Sequence, residues 1–226
     1  MTGSTRRTIT ILGLGSLLSE RSARTTFPNL TNFRVVRLHG FRRVFAHSPS
    51  MFVERGIANK ETLEMASLSG EPMDDPGSSF VVTAFEVDDD GRGMDAFRER
   101  EEEFDLVMVP FHSLDGEPEG MGMLCQASSD AAYVERWGQS RFDELYTERG
   151  LSTCWGWTHD SGLRPCATYL RHCALASERL GTVAHASFLD ETFLCDRLTT
   201  IRAYLDSHPE VLTTLPPEPL RERYSG

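Results

Sequence analysis

The chain has 226 residues, with 34 acidic against 23 basic side chains and a formal net charge of −11. That length is enough to bury a substantial core, as one large domain or as a domain with an extension. Acidic residues run from Glu20 to Glu222, a distribution that repels a phosphate backbone and excludes nucleic acid as a partner. Residues 1–7 carry two arginines, but the apolar run behind them, residues 9–18, is interrupted by Gly13, Gly15 and Ser16. It is too short and too broken for a signal segment or a membrane span, so the expectation is a cytoplasmic protein with no membrane partner. The five cysteines, Cys125, Cys154, Cys166, Cys173 and Cys195, are odd in number and widely spaced. They predict reduced thiols rather than a disulfide framework.

In chain order, residues 8–14 alternate and are β-branched, as a strand should be, and stop at Gly15-Ser16, where the backbone can turn. Residues 32–48 alternate Val35, Val36, Leu38, Phe41, Val44 and Phe45 with arginines, which predicts two strands bent at Gly40 with one face wet. Further strands are expected at 63–68 and 80–87, separated by a turn-rich stretch and closed by a turn at 88–91. The pattern at 93–103 changes to helical, with Met94 and Phe97 three apart, and runs into a strand at 104–111; one more strand fits 120–126. Beyond it, 129–149 reads as one amphipathic helix capped by Ser129 or Asp130, with Tyr133, Trp137 and Phe142 inward. Pro165 is expected as the first-turn proline of a helix at 166–180 that Gly181 stops, and 187–207 repeats the helical spacing. The proline-rich tail, 215–226, is expected to be extended. The sum is an α+β chain: a curved, mostly antiparallel, barrel-like sheet of about six strands at 8–126, and a helical extension at 127–226 packed on it.

Three stretches invite chemistry. Gly13-Leu14-Gly15-Ser16-Leu17-Leu18 follows a strand, but the third glycine of a dinucleotide fingerprint falls at Leu18 and no βαβ unit follows. It is either a plain tight turn or an anion site formed by the outward amides of Gly15, Ser16 and Leu17. The run from Arg98 to Asp105 has the composition of a solvated helix face, yet it ends where a strand begins. A carboxylate placed there beside Phe104 would be crowded and partly buried, which raises its pKa toward that of a general base. The cysteines and histidines show no C-x-x-C, H-x₃-H or H-E-x-x-H spacing, so no metal and no cofactor are expected.

Taken in order, Leu14-Gly15-Ser16-Leu17-Leu18 after a strand, then Val36-Arg37-Leu38-His39-Gly40-Phe41-Arg42-Arg43-Val44-Phe45, then Arg100-Glu101-Glu102-Glu103-Phe104-Asp105 running into a strand, the chain resembles the γ-glutamylcyclotransferases over residues 8–126. The resemblance implies a small barrel-like α+β fold in which Leu14, Gly15, Ser16 and Leu17 hold the α-carboxylate of a small-molecule γ-glutamyl substrate. It implies Glu101 as the catalytic base, with Glu99 as the alternative because it also follows an arginine. Leu14 and Phe104 stand where the family pattern has tyrosines. The implied reaction closes the α-amine onto the γ-carbonyl, with Glu101 taking a proton and returning it to the leaving amine, and releases 5-oxoproline. The competing reading is a binding or regulatory protein that keeps the fold and the carboxylate loop without turnover, and the sequence leaves a homodimer open.

Overall fold

The computed structural model describes residues 8–75, 77–89 and 92–226, apart from the side chains of 92 and 93. The expectations for residues 1–7 and for the turn at 90–91 lie outside them. Alternating β-branched residues form strand β1, Thr8–Gly13, whose last three residues are buried. A 3-10 turn at Ser16–Leu18 leads to helix α1, Glu20–Thr26, which Ser19 caps by accepting the Ser22 N–H. Gly40, at φ +73°, separates β2 (Thr31–His39) from β3 (Phe41–His47). Those two strands do not pair with each other. β3 is followed by α2 (Ser50–Glu54) and runs antiparallel to β4 (Glu64–Pro72), whereas β2 lies between β5 (Ser79–Asp88) and β6 (Asp105–His112). Helix α3 (Arg92–Arg100) precedes β6, and β7 (Pro118–Gln126) follows it.

The order β1-β5-β2-β6-β7 closes on itself through a parallel pairing of Ile11 with Met123, making a five-strand ring. Closure removes two edges that would otherwise expose unpaired amides. β4 and β3 extend from β7, which meets β4 at the Gly70–Gln126 pair. The α+β class and the barrel-like sheet expected from the sequence are what the chain forms.

Residues beyond 126 give α4 (Asp130–Trp137), α5 (Gln139–Leu145), β8 (Arg164–Pro165), α6 (Ala167–Arg179), α7 (Thr182–Asp190), β9 (Thr192–Phe193) and α8 (Ile201–Ser207). They differ from the expected pattern in four places. The single helix at 129–149 is two, broken at Gly138 with φ +89°, and the break leaves Trp137 42 % exposed while Tyr133 and Phe142 are buried. Pro165 sits in β8 against β4, and Cys166 is the residue that opens α6. The stretch 187–207 is not one helix, because β9 leaves α7 to pair with β3 before α8 begins. The tail is not wholly extended: it makes a 3-10 turn at Glu218–Leu220 and folds back to bury Tyr224.

One large core cluster joins Leu12, Val44, Phe45 and Leu68 of the sheet to Leu170, Cys173 and Phe188 of α6 and α7. A smaller cluster packs Phe27, just after α1, and Phe97 of α3 against Ile11 and Phe85 of the ring. Arg43 is fully buried in the larger core, contrary to the expectation of a strand pair with arginines on a wet face. Its guanidinium lies between the rings of Phe80 and Phe188, at 5.0 and 4.9 Å, and donates to Thr192 Oγ1 and to the carbonyls of Val81 and Leu14. Burial lowers its pKa to about 10, still far above neutrality, so the charge persists and its donors fix the carbonyl that enters the Gly15 turn.

Candidate active site

β1 ends at Gly13 between the two cores, and the following turn lines a cavity of about 70 Å³. Leu12, Leu14, Gly15, Ser16 and Leu17 form one side of it, and Arg100, Glu101, Glu103 and Phe104 another. The floor and rim come from distant segments: His47 of β3, Arg55 after α2, Tyr169 and His172 of α6, and Arg223 and Tyr224 of the tail.

The turn is shaped by a close approach. A Cβ on Gly15 would lie 2.2 Å from the Tyr169 hydroxyl, so only glycine admits that ring. The Ser16 N–H donates to the Tyr169 hydroxyl at 3.2 Å, and the Ser67 side chain bonds to the same hydroxyl. Of the amides expected to hold an anion, that of Ser16 is therefore already engaged. Burial pushes Tyr169 well above its ordinary pKa, so it stays a donor. His172 is 1 % exposed; its Nδ1 accepts the Gly226 N–H at 2.9 Å, which puts the ring proton on Nε2. That nitrogen faces the main chain at Ser16 without a well-formed hydrogen bond, and burial lowers the ring's pKa to about 4.

The acidic run resolves by position. Helix α3 ends at Arg100, and residues 101–104 continue as a turn in which the Glu101 N–H bonds to Phe97 O and the Phe104 N–H to Glu101 O. The turn aims Glu101 and Glu103 into the cavity, while Glu102 points to Arg141 at 3.4 Å and Glu99 is exposed outside the cavity. Arg100 ties the two walls together, donating to Ser16 Oγ at 2.8 Å and to Thr26 Oγ1 while its Nε lies 2.8 Å from Glu101 Oε1. Desolvation raises the Glu101 pKa, and Arg100 and then Arg223 pull it back down. Among the described residues Glu103 has no cation in contact: Tyr146 donates to its Oε1, and His47 Nε2 stands 3.8 Å from its Oε2. Desolvation carries it up to about 7.

Of the residues singled out in the sequence, Glu101 and the 14–17 turn meet across this cavity and Glu99 does not join them. Tyr169 was not legible, because it lies 153 residues along the chain from the Ser16 amide it accepts from. His47 and Trp155 were equally hidden, whereas Glu103 belonged to the acidic run before the strand but was not distinguished within it. The Trp155 ring stacks on His47 at 4.3 Å, its Nε1 donates to Glu103 O, and its own amide is held by the Asp130 carboxylate. Ser129 rather than Asp130 caps α4, which frees Asp130 for that task. Among the described residues no group of three or more His, Cys, Asp or Glu side chains is placed to hold a metal ion. All five cysteines are buried and unpaired.

Among solved structures, the yeast γ-glutamyl cyclotransferase specific to glutathione matches with a TM-score of 0.51 at 13 % identity, over 91 % of this chain and 96 % of that one. An uncharacterized protein from Homo sapiens matches with a TM-score of 0.50 at 12 % identity, over 77 % of this chain and 80 % of that one. No family model matches the chain, and no curated protein matches it in sequence. At these identities the likeness is one of fold.

Proposed function

On a chain that has the γ-glutamyl cyclotransferase fold, we propose that the cavity converts a γ-glutamyl amide into 5-oxoproline and a free amine. One observation carries the reading: Glu101 and the Gly15-Ser16 turn line the same small cavity, with Arg100 bonded to both. The substrate contains its own nucleophile. Folded so that the α-nitrogen faces the γ-carbonyl, it closes a five-membered ring, and this proximity is worth about 7–11 kcal/mol in well-oriented intramolecular reactions. Glu101 takes a proton from the attacking α-amine as the ring C–N bond forms; the scissile C–N bond breaks, and the leaving nitrogen must gain a proton. The hydroxyls of Tyr169 and Ser16 present donors to the α-carboxylate. Tyr169 thus supplies at the turn the hydroxyl that Leu14 lacks.

A second reading, a binding protein without turnover, is favoured by the engagement of the Ser16 amide with Tyr169, which narrows the anion site. Incubation with glutathione, γ-glutamyl amino acids and γ-glutamyl amines separates the two. Formation of 5-oxoproline from any of them supports the enzyme, whereas binding of these compounds without product supports the binding protein.

A further inference from the structure

Two carboxylates face this cavity from one turn, and their surroundings differ in kind. Glu101 is 14 % exposed and has the guanidinium of Arg100 in contact, which favours the carboxylate form. Glu103 is 12 % exposed and is surrounded by neutral or like-charged groups. The Tyr146 hydroxyl follows α5, the Ser50 N–H opens α2, the buried Cys154 thiol and Tyr133 come from 154 and α4, and Glu101 and Glu102 flank it. His47 completes the ring of neighbours. It is fully buried between Trp155 and Phe104, lines the cavity, and has no hydrogen-bond partner at either nitrogen. Burial depresses its pKa to about 3, so it does not offer Glu103 a counter-charge. Pairs of carboxylates set apart by environment divide acid and base duties.

We propose that Glu103 is a second catalytic residue of this cavity, the general acid that protonates the leaving nitrogen. The assignment rests on the cyclotransferase reading above. The attacking amine gives one proton to the Glu101 carboxylate as the ring C–N bond forms. As the scissile C–N bond breaks, the Glu103 carboxyl gives one proton to the departing nitrogen, which leaves as a neutral amine. The enzyme is then one proton richer at Glu101 and one poorer at Glu103, and transfer between the two through water resets it. Tyr146, bonded to the other oxygen, is a positioning residue. A pKa of about 7 keeps much of the acid form available near neutrality.

The test is Glu103→Gln with two γ-glutamyl amides of opposite leaving-group demand, an alkylamide and a p-nitroanilide, in the full chain. A basic alkylamine cannot depart without a proton, whereas the electron-poor aniline needs far less help. The expected result is a loss of about 10²- to 10⁴-fold in kcat on the alkylamide and of less than about tenfold on the p-nitroanilide. Equal losses on both, or none on either, overturn the assignment. Tyr146→Phe gives a second readout that a structural role does not move. Because the Tyr146 bond lowers the Glu103 pKa, its removal is expected to shift the falling basic limb of the kcat–pH profile to higher pH, and an unmoved limb overturns the assignment. If the unaltered protein forms 5-oxoproline from neither amide, the cyclotransferase reading itself fails and the acid with it. If it turns both over, the fate of Glu103 is decided separately.

Discussion

At Glu101, the proposed base, desolvation raises the pKa and the contact with Arg100 Nε, 2.8 Å, opposes that rise. Glu101→Gln keeps the length of the side chain and removes its basicity, so turnover of a γ-glutamyl amide is expected to fall by about 10²- to 10⁴-fold with little change in KM. Glu99→Gln, on an exposed side chain, is expected to do little; the reverse ranking of the two would move the base to Glu99. Tyr169→Phe removes the proposed carboxylate donor and should raise KM by about 10- to 100-fold, the worth of a hydrogen bond to a charged group. An unchanged KM would contradict that role. Titration makes a further prediction. Glu103 ionises near 4.5 when unfolded and near 7 when folded, so between those values the unfolded chain releases the proton first. Its contribution to stability therefore falls as pH rises through that window. His47 and His172, lowered to about 3 and about 4, act in the opposite sense and lose stability as pH falls below 6.5. Urea unfolding should show the stability of Glu103→Gln rising relative to the unaltered protein by up to about 3 kcal/mol from pH 4.5 to 7, at about 1.36 kcal/mol for each tenfold difference in proton affinity between the folded and unfolded chain. A pH-independent difference would contradict the burial argument.

The elements that make the site are short. The turn after α3 alternates the direction of its acids, and the turn after β1 packs Gly15 so closely under the Tyr169 hydroxyl of α6 that no Cβ fits there. Gly15→Ala should therefore cost activity and stability in the unaltered background and much less in a Tyr169→Phe background, since the offending atom is the hydroxyl. A double-mutant cycle with no coupling would show that the turn is not shaped by that contact. The same contrast explains what the sequence made legible. The strand expected at 8–14 announced itself by alternation and β-branching, and those expected at 80–87 and 104–111 also formed, within a residue or so at each end. The acidic run stood out by its place before a strand, and Glu101 within it only by the family resemblance. The split at Gly138 was missed although Tyr133 and Phe142, nine positions apart and so about 180° out of phase on one helix, could not both have faced inward without it. Arg43 was missed because strand alternation identifies a face but not the two aromatic rings, Phe80 and Phe188, that bury a cation. Tyr169, His172 and Trp155 depend on long-range packing that local periodicity does not encode.

Across the whole molecule, residues before and after 126 share a core: Leu12, Phe45 and Leu68 pack in one cluster with Leu170, Cys173 and Phe188, and β8 and β9 pair with β4 and β3. The fragment 8–126 expressed alone is expected to keep far-ultraviolet sheet signal, bind a hydrophobic dye and lack a cooperative thermal transition. A sharp transition would show that the barrel folds without the segment that carries Tyr169 and His172. The proposed activity is expected to need both parts, because α6 and the tail complete the cavity that the ring opens. The central claim is that this cavity cyclises γ-glutamyl amides with Glu101 as base. Its most direct measurement is 5-oxoproline, quantified by mass spectrometry, from glutathione and a panel of γ-glutamyl amino acids and amines incubated with the unaltered protein and with Glu101→Gln. Product from at least one compound with the unaltered protein, reduced by about 10²-fold or more in the variant, is the predicted result. No product from any compound, or equal product from both proteins, would contradict the account.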